Sequence, residues 1–301
     1  MEQALLTCER NRFHRELLNT ILSVDESGIP SNADKSNRLS VAIARGIHNR
    51  LLAKSKLLDT CQEETAVYGN KRVKAKGQTS GNIFEEKVME YIAATFTKMQ
   101  HIRPGKWHIL KLGNQSQIKT SDFAQYEHLA YLSDLTKANA QLAAVLGNDY
   151  MVAPDVIVYR ELYDDDELNV PLSVVDETTA RKADLRAANG GKPILHASVS
   201  AKWTMRSDRA QNSRTEALNL IRNRKGNLPH IVVVTGEPAP SRLASLALGT
   251  GDIDCLYHFA LYELLEAVKD YGADDAENLL KTLVEGKRLK DISDLPLDLC
   301  V

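Results

Sequence analysis

Between Leu195 and Arg224 the chain reads LHASVSAKWTMRSDRAQNSRTEALNLIRNR, and three kinds of chemically capable side chain follow one another there. HASVSAKW alternates small and β-branched residues as a strand does, yet it contains Lys202, a charge that a core strand would not need. The RSDR that follows brings Arg206, Ser207, Asp208 and Arg209 into a turn. Guanidinium forks bond O6 and N7 of guanine, and a carboxylate accepts from cytosine N4, so these side chains suit base edges in the DNA major groove. A helix is expected from about Gln211, with Glu216 on its first turns and Ala217, Leu218, Leu220 and Ile221 as its buried stripe. Upstream, VAPDVIVYR sets Asp155 at the head of a short β-branched strand, Val156 to Tyr159. An acid, a lysine on the next strand and a further acid can cleave a phosphodiester. Asp155 and Glu216 would hold a divalent cation against the scissile phosphate, and Lys202 would orient the attacking water or stabilise the developing anion. Taken singly, each acid also reads as a surface charge and the lysine as a solvated side chain; only the constellation points to chemistry.

The elements that must position these residues are an α/β set. Residues 1–24 pattern as an amphipathic helix, a polar turn-rich segment from Ser27 to Asn37 holds Asp34, and a second helix runs from about Ser40 to Leu58. Residues from about Ser55 to Lys76 are poor in apolar side chains and end in a basic run, which reads as an exposed arm or insertion. GQTSGN then opens a helix over Asn82 to Met99 with Glu85 near its start, where a carboxylate also complements the helix dipole. A short strand near His108, a helical stretch from Ser121 to Leu146 and a helical piece near Thr178 to Ala188 precede the focal strand. PHIVVVT reads as a fully buried strand, Arg242 opens a helix, Ile253 to Phe259 is a last strand, and two helices finish the chain. No Pro/Ser/Gly linker divides the 301 residues, so 1–301 reads as one catalytic and DNA-recognition domain.

Net charge is −2, so bulk basicity does not announce a nucleic-acid partner. Distribution does: from Lys202 to Lys225 the basic residues Lys202, Arg206, Arg209, Arg214, Arg222, Arg224 and Lys225 face only Asp208 and Glu216. Local positive surface is what phosphates sense, although a solvated helix face has the same pattern. Cys8, Cys61, Cys255 and Cys300 form no CxxC pair, which argues against a zinc site or disulfide framework and fits a reducing cytoplasm. No apolar run approaches membrane-spanning length, and the N-terminal residues lack the basic and apolar regions of an export signal. GxSxG, P-loop and GxGxxG motifs are also missing.

Pro154-Asp155, Ser200-Ala201-Lys202 and Glu216, taken with RSDRAQN and the tail GKRLKDISDLPLDL, resemble the NgoMIV-type restriction endonucleases that cut around CCGG. These carry a variant PD-(D/E)xK nuclease motif, in which serine replaces the acid two before the lysine and a helix glutamate supplies the missing carboxylate. The likeness covers nearly the whole chain; the segment near Ser55 to Lys76 departs from it by being longer. It implies a restriction-endonuclease-like α/β fold, with a central mixed β-sheet flanked by helices and a helical N-terminal elaboration. It implies type II, Mg2+-dependent hydrolysis of double-stranded DNA within GCCGGC, leaving four-base 5′ overhangs (G/CCGGC). Asp155, Ser200, Lys202 and Glu216 match the catalytic positions, with Glu85 an additional acid and the Ala201 main-chain carbonyl a metal ligand beside Asp155 and Glu216. Arg206, Asp208 and Arg209, with Ser207 in the same loop, match the readers of the inner CCGG, and Arg242, Gln78 and Asp34 those of the outer pair. A homotetramer, a dimer of dimers holding two DNA sites, is implied as well, and a cognate methyltransferase acting on the same sequence without needing to bind the protein. On residues alone, a structure-specific repair or recombination nuclease, or a non-catalytic DNA-binding protein, is also open.

Overall fold

The computed structural model describes residues 3–59, 77–112, 118–139, 141, 144, 154–205, 207–249 and 251–301, with the backbone alone at 58–59, 77–78 and 207–209. Three helices come first: α1 (Leu5–Thr20), α2 (Arg38–Asp59) and α3 (Gly77–Thr95). The apolar period of α1 turns Phe13 and Leu17 inward, and the helix ends at Thr20, short of the expected residue 24. Helix α2 runs through Asp59, so the first residues of the segment read as an arm from Ser55 are helical; the rest, with its basic run, lies outside the described residues. Helix α3 begins at Gly77, earlier than Asn82, because nothing in GQTSG stops a helix that continues into an apolar face.

Among the described residues the sheet has six strands in sequence order: β1 (Trp107–Lys111), β2 (Val156–Arg160), β3 (Ile194–Lys202), β4 (His230–Thr235), β5 (Cys255–His258) and β6 (Leu289–Asp291). β1, β2 and β3 pair antiparallel, whereas β3 to β6 pair parallel, which makes the sheet mixed. Every residue of β4 after His230 is buried, as its unbroken apolar run requires of a strand covered on both faces. Parallel neighbours need crossovers, and helices supply them. In chain order the helices after α3 are α4 (His128–Ala138), a short α5 (Asp165–Leu168), α6 (Ser207–Asn223), α7 (Pro240–Ala247), α8 (Leu261–Tyr271), α9 (Asp274–Glu285) and a short α10 (Leu295–Asp298). Gly46 of α2 lets α8 approach closely: a Cβ there would come within 2.7 Å of the Ala267 Cβ.

Two expected helices differ. Between Thr178 and Ala188 no α-helix forms, because Asp176 Oδ1 accepts from the N–H groups of Thr178 and Thr179 while Arg186 bonds Asp165 and the Thr179 carbonyl. Side-chain bonds of this kind compete with the helical ladder. Of the stretch from Ser121 to Leu146, the described part opens with two 3-10 turns before α4. No helix among the described residues is long and apolar enough to cross a membrane.

One buried polar cluster fixes the helical layer to the sheet edge. The Arg10 guanidinium of α1 meets Glu263 of α8 at 2.7 Å and Asp291 of β6 at 2.8 Å, and Lys54 of α2 meets Glu263 at 2.6 Å. Burial by itself would push both carboxyls up, but Arg10 outweighs it and holds Glu263 and Asp291 below the usual carboxylate range. Arg10→Ala should therefore cost about 3–5 kcal/mol at neutral pH, because it leaves the buried Asp291 carboxylate without Arg10 and Glu263 with Lys54 alone. Carboxyls depressed in the folded state stabilise it fully above their unfolded value, about 4, and lose that contribution as pH falls further. Denaturant unfolding across pH should show the gap between wild type and variant narrowing from above about pH 4, where the variant's buried carboxyls take up protons, and closing further below it, where the wild type loses the contribution of its depressed carboxyls. A gap under about 1 kcal/mol at pH 7 would mean that the cluster contributes no more than a surface pair.

Candidate active site

Strand pairing assembles the centre. Val156 stands opposite Val199 in the antiparallel β2–β3 ladder, so Asp155, one step before Val156, falls opposite Ser200. Residues opposite each other, and those two apart on one strand, share a face, which sets Asp155, Ser200 and Lys202 together. Lys202 Nζ donates to Asp155 Oδ2 at 2.7 Å, the Ala201 N–H donates to the same oxygen at 2.8 Å, and Ser200 Oγ lies at 3.4 Å from it. All three fall on Oδ2; among the described residues, Oδ1 accepts no hydrogen bond.

Helix α6 brings the second acid. Its Ala217 and Leu220 are buried in the core, and Ser213 Oγ bonds Ser200 Oγ of β3 at 3.1 Å. Because α6 begins at Ser207, not near Gln211, Glu216 lies in mid-helix and not on a first turn. Its carboxyl is pushed up to about 7 by burial; Lys202 offsets part of the shift and the Asp155 charge adds to it. Glu85, on α3, is likewise raised by burial and by Asp155, against the pull of Lys111 and Lys202. Lys111, the last residue of β1, lies 3.4 Å from Glu85 and had no signal in the sequence beyond its place at a strand end. Ser213 was equally silent, since a serine in a helix is ordinary.

Three carboxylates thus surround one lysine. Among the described residues no three Asp, Glu, His or Cys side chains cluster tightly enough to chelate a metal by themselves. The donor set that fits a cation is Asp155 and Glu216 with the Ala201 carbonyl, oxygen ligands of the kind that hard divalent ions take, leaving positions for water and phosphate.

The expected base readers are placed unevenly. Arg206 lies outside the described residues, and Ser207, Asp208 and Arg209 form the first turn of α6, not a loop ahead of it. Serine and aspartate are favoured in such a turn, which is why the helix extends back over them. Gln78 lies in the first turn of α3, its side chain outside the description. Asp34 and Arg242, far apart in sequence, meet in an ion pair. Arg214, counted above with the basic patch, is engaged within the protein: it bonds Asp252 at 3.1 Å and the carbonyls of Ser245, Leu246 and Leu248 at the end of α7.

Residues 13–301 match the NgoMIV restriction enzyme family. The type II restriction enzyme NgoMIV of Neisseria gonorrhoeae is 51% identical over 298 residues, 99% of either chain. Among solved structures, the type IIF restriction endonuclease Bse634I with cognate DNA is 15% identical, with a TM-score of 0.37 over 89% of this chain and 91% of that one. The restriction endonuclease PspGI in complex with substrate DNA is 12% identical, with a TM-score of 0.28 over 98% and 92%.

The electrostatics give a signed test. Without a divalent ion, carbon-detected NMR should find the Glu216 carboxyl titrating near 7. Asp155→Asn, which removes a neighbouring negative charge, should lower that midpoint, and Lys202→Ala should raise it. Since the proton competes with a cation for the same oxygens, divalent-ion affinity should rise as pH climbs through this range. A Glu216 midpoint near 4.5 in the wild type, unmoved by either substitution, would separate it from the Asp155–Lys202 pair.

Proposed function

The chain belongs to the NgoMIV family of restriction enzymes, type II site-specific endonucleases that cleave DNA, and from that premise we propose that it cuts double-stranded DNA at GCCGGC, with Mg2+ as cofactor, leaving four-base 5′ overhangs (G/CCGGC). The observation that carries the catalytic half is the 2.7 Å contact of Lys202 with Asp155 where β2 and β3 meet, with the buried Glu216 and Glu85 around it.

Asp155, Glu216 and the Ala201 carbonyl would hold the cation, which eases deprotonation of the attacking water and offsets charge on the phosphorane. The protein's own groups do the positioning. The Ala201 N–H fixes Asp155 Oδ2 from the backbone, so the carboxylate keeps its place when the lysine turns toward phosphate or water. Lys202 stays next to the reacting oxygens and donates to the water or to the anion that forms. Ser200 occupies the place where an acid would crowd a third negative charge against Asp155, and its hydroxyl links β3 to α6 through Ser213. Glu85, shared between Lys111 and Lys202, adjusts the charge around the attacking water.

Specificity is assigned to RSDR and to the Asp34–Arg242 pair. One protomer of a two-fold dimer specifies half of a palindrome. Arg206 and Arg209 can each take O6 and N7 of a guanine, and Asp208 accepts from cytosine amines, which yields CCGG once the two-fold is applied. Each such bidentate pair is worth about 1–3 kcal/mol of discrimination. Arg242, Asp34 and Gln78 are assigned to the outer pair, completing GCCGGC. The active species is assigned as a cytoplasmic homotetramer, a dimer of dimers on two sites, with one domain per chain.

Asp155→Asn, Lys202→Ala and Glu216→Ala should each lower the cleavage rate by roughly 10²-fold or more while specific binding in gel shift persists. Sequencing the ends that wild type leaves on one long DNA should return G/CCGGC alone. Near wild-type cutting by the Asp155 variant would remove the catalytic assignment, and ends at DNA structures or at another palindrome would remove the target.

A tetramer engaging two sites turns the second binding into an intramolecular event on looped DNA. Plasmids with two GCCGGC sites should then be cleaved faster than plasmids with one. Equal rates, together with a dimer in analytical ultracentrifugation, would exclude the assembly.

A further inference from the structure

Glu237 has no role in the cleavage chemistry, yet its side chain is fully buried in the turn between β4 and α7. Its Oε2 accepts the Met205 N–H at 2.8 Å, and Met205 is the residue immediately before RSDR. Its Oε1 accepts the Ala239 N–H at 3.1 Å, just ahead of α7, and Arg242 Nη1 of α7 lies 3.6 Å from Oε2. Burial pushes this carboxyl up, and the two N–H groups with Arg242 offset part of the shift.

The surrounding turn is built around the same junction. Gly236 packs so closely that a Cβ would come 2.5 Å from the Trp203 ring, and the Gly236 N–H donates to the Lys202 carbonyl at 3.2 Å. The Gly236 carbonyl accepts from the buried Asn32 at 2.7 Å, and Arg242 pairs with Asp34 two residues beyond Asn32. Three segments distant in sequence therefore converge here: Asn32 to Asp34, Trp203 to Met205 and Thr235 to Arg242; the first and third carry Asp34 and Arg242, assigned to the outer pair, and the second leads directly into RSDR.

The geometry points to Glu237 as a positioning residue that couples the inner-pair reader RSDR to the outer-pair reader Arg242 through one buried carboxylate. One oxygen anchors the backbone at which α6 departs from β3 and also attracts Arg242. The inner and outer contacts are thus held in fixed register on the DNA. This inference rests on the assignment of RSDR and Arg242 as readers.

Glu237→Gln is nearly isosteric but removes the charge that faces Arg242 and sets an amide donor against one of the two N–H groups. The readout is the ratio of kcat/KM on GCCGGC to that on DNA with one inner or one outer pair exchanged. Such a ratio cancels the folded fraction, so a merely structural role does not move it. Both ratios should fall by about tenfold or more, as loss of a well-placed bidentate contact would cause. Arg209→Ala and Arg242→Ala, measured in parallel, should each lower their own ratio. If these two variants discriminate as wild type does, the assignment of the readers fails. If they lose discrimination and Glu237→Gln keeps both ratios, the coupling fails while the readers stand, and a loss at the outer pair alone limits Glu237 to orienting Arg242 and overturns the coupling too. Should Glu237→Gln not fold, Glu237→Asp keeps the charge and withdraws it by one methylene; it must lower both ratios, by less, and unchanged ratios overturn the proposal.

Discussion

The Asp155 carboxylate, held on one oxygen by a backbone N–H and a lysine of the neighbouring strand, is the contact on which the centre depends. It exists because β2 runs antiparallel to β3 in a sheet whose other half is parallel. Antiparallel pairing sets the start of one strand beside the end of the other, so an acid preceding β2 meets a lysine ending β3. A slip of one residue in that register would turn Asp155 to the opposite face from Ser200 and Lys202. The bulge between Val158 and Tyr159 takes up the irregularity farther along the ladder, away from the acid. Much of the rest, including the buried run of β4 and the helices over it, serves to keep that pairing fixed.

Around this contact the charge is deliberately uneven. Glu85 and Glu216 are both raised by burial and by Asp155, while Lys202 and Lys111 supply the local positive charge. Like charges brought together away from water raise one another's affinity for a proton, and a divalent cation relieves the same repulsion. The acids stay in place because packing holds them: α6 by its apolar stripe and the Ser213–Ser200 bond, α3 by Phe84, Val88 and Ile92. Much of the helical layer is therefore an electrostatic support, and the Arg10 cluster at the far sheet edge keeps that layer attached.

How much of this the sequence disclosed follows from the range of each interaction. Asp155 and Lys202 were legible as charges bordering or ending apolar strands and Glu216 as a carboxylate on the helix that follows, although deeper in that helix than expected, whereas Ser200 was singled out only by its likeness to the family motif. The mixed sheet was legible from β-branched runs broken by amphipathic ones. Lys111 was not, since its partner Glu85 is on another element and no local pattern joins them. Arg214 was misplaced for a similar reason: within its helix it looks like one more basic residue, and only the tertiary structure brings Asp252 and the α7 carbonyls to it. The start of α6 was set too late because RSDR reads as a turn when weighed by its charge, although serine and aspartate there favour a helix start. The helix expected near Thr178 failed because Asp176 and Arg186 satisfy the backbone locally.

That earlier start of α6 has a mechanical consequence. The chain passes from Lys202 at the end of β3 to Ser207 at the start of α6 within five residues, so the lysine proposed to act on the scissile phosphate and the side chains proposed to read the bases are near neighbours in the chain. Trp203 and Met205, both buried, fill the interval, and Trp203 packs against Phe84 of α3 and Phe259 after β5. A displacement of the reading turn must then either move the end of β3, disturbing the Asp155 contact, or break this aromatic packing. Arg214 opposes the remaining freedom by tying α6 to the end of α7. Were RSDR to read the bases as proposed, a duplex that fits it badly would strain the Asp155–Lys202 contact, and discrimination in the rate of cleavage would exceed discrimination in binding, because the transition state demands the geometry that the mismatched complex has given up.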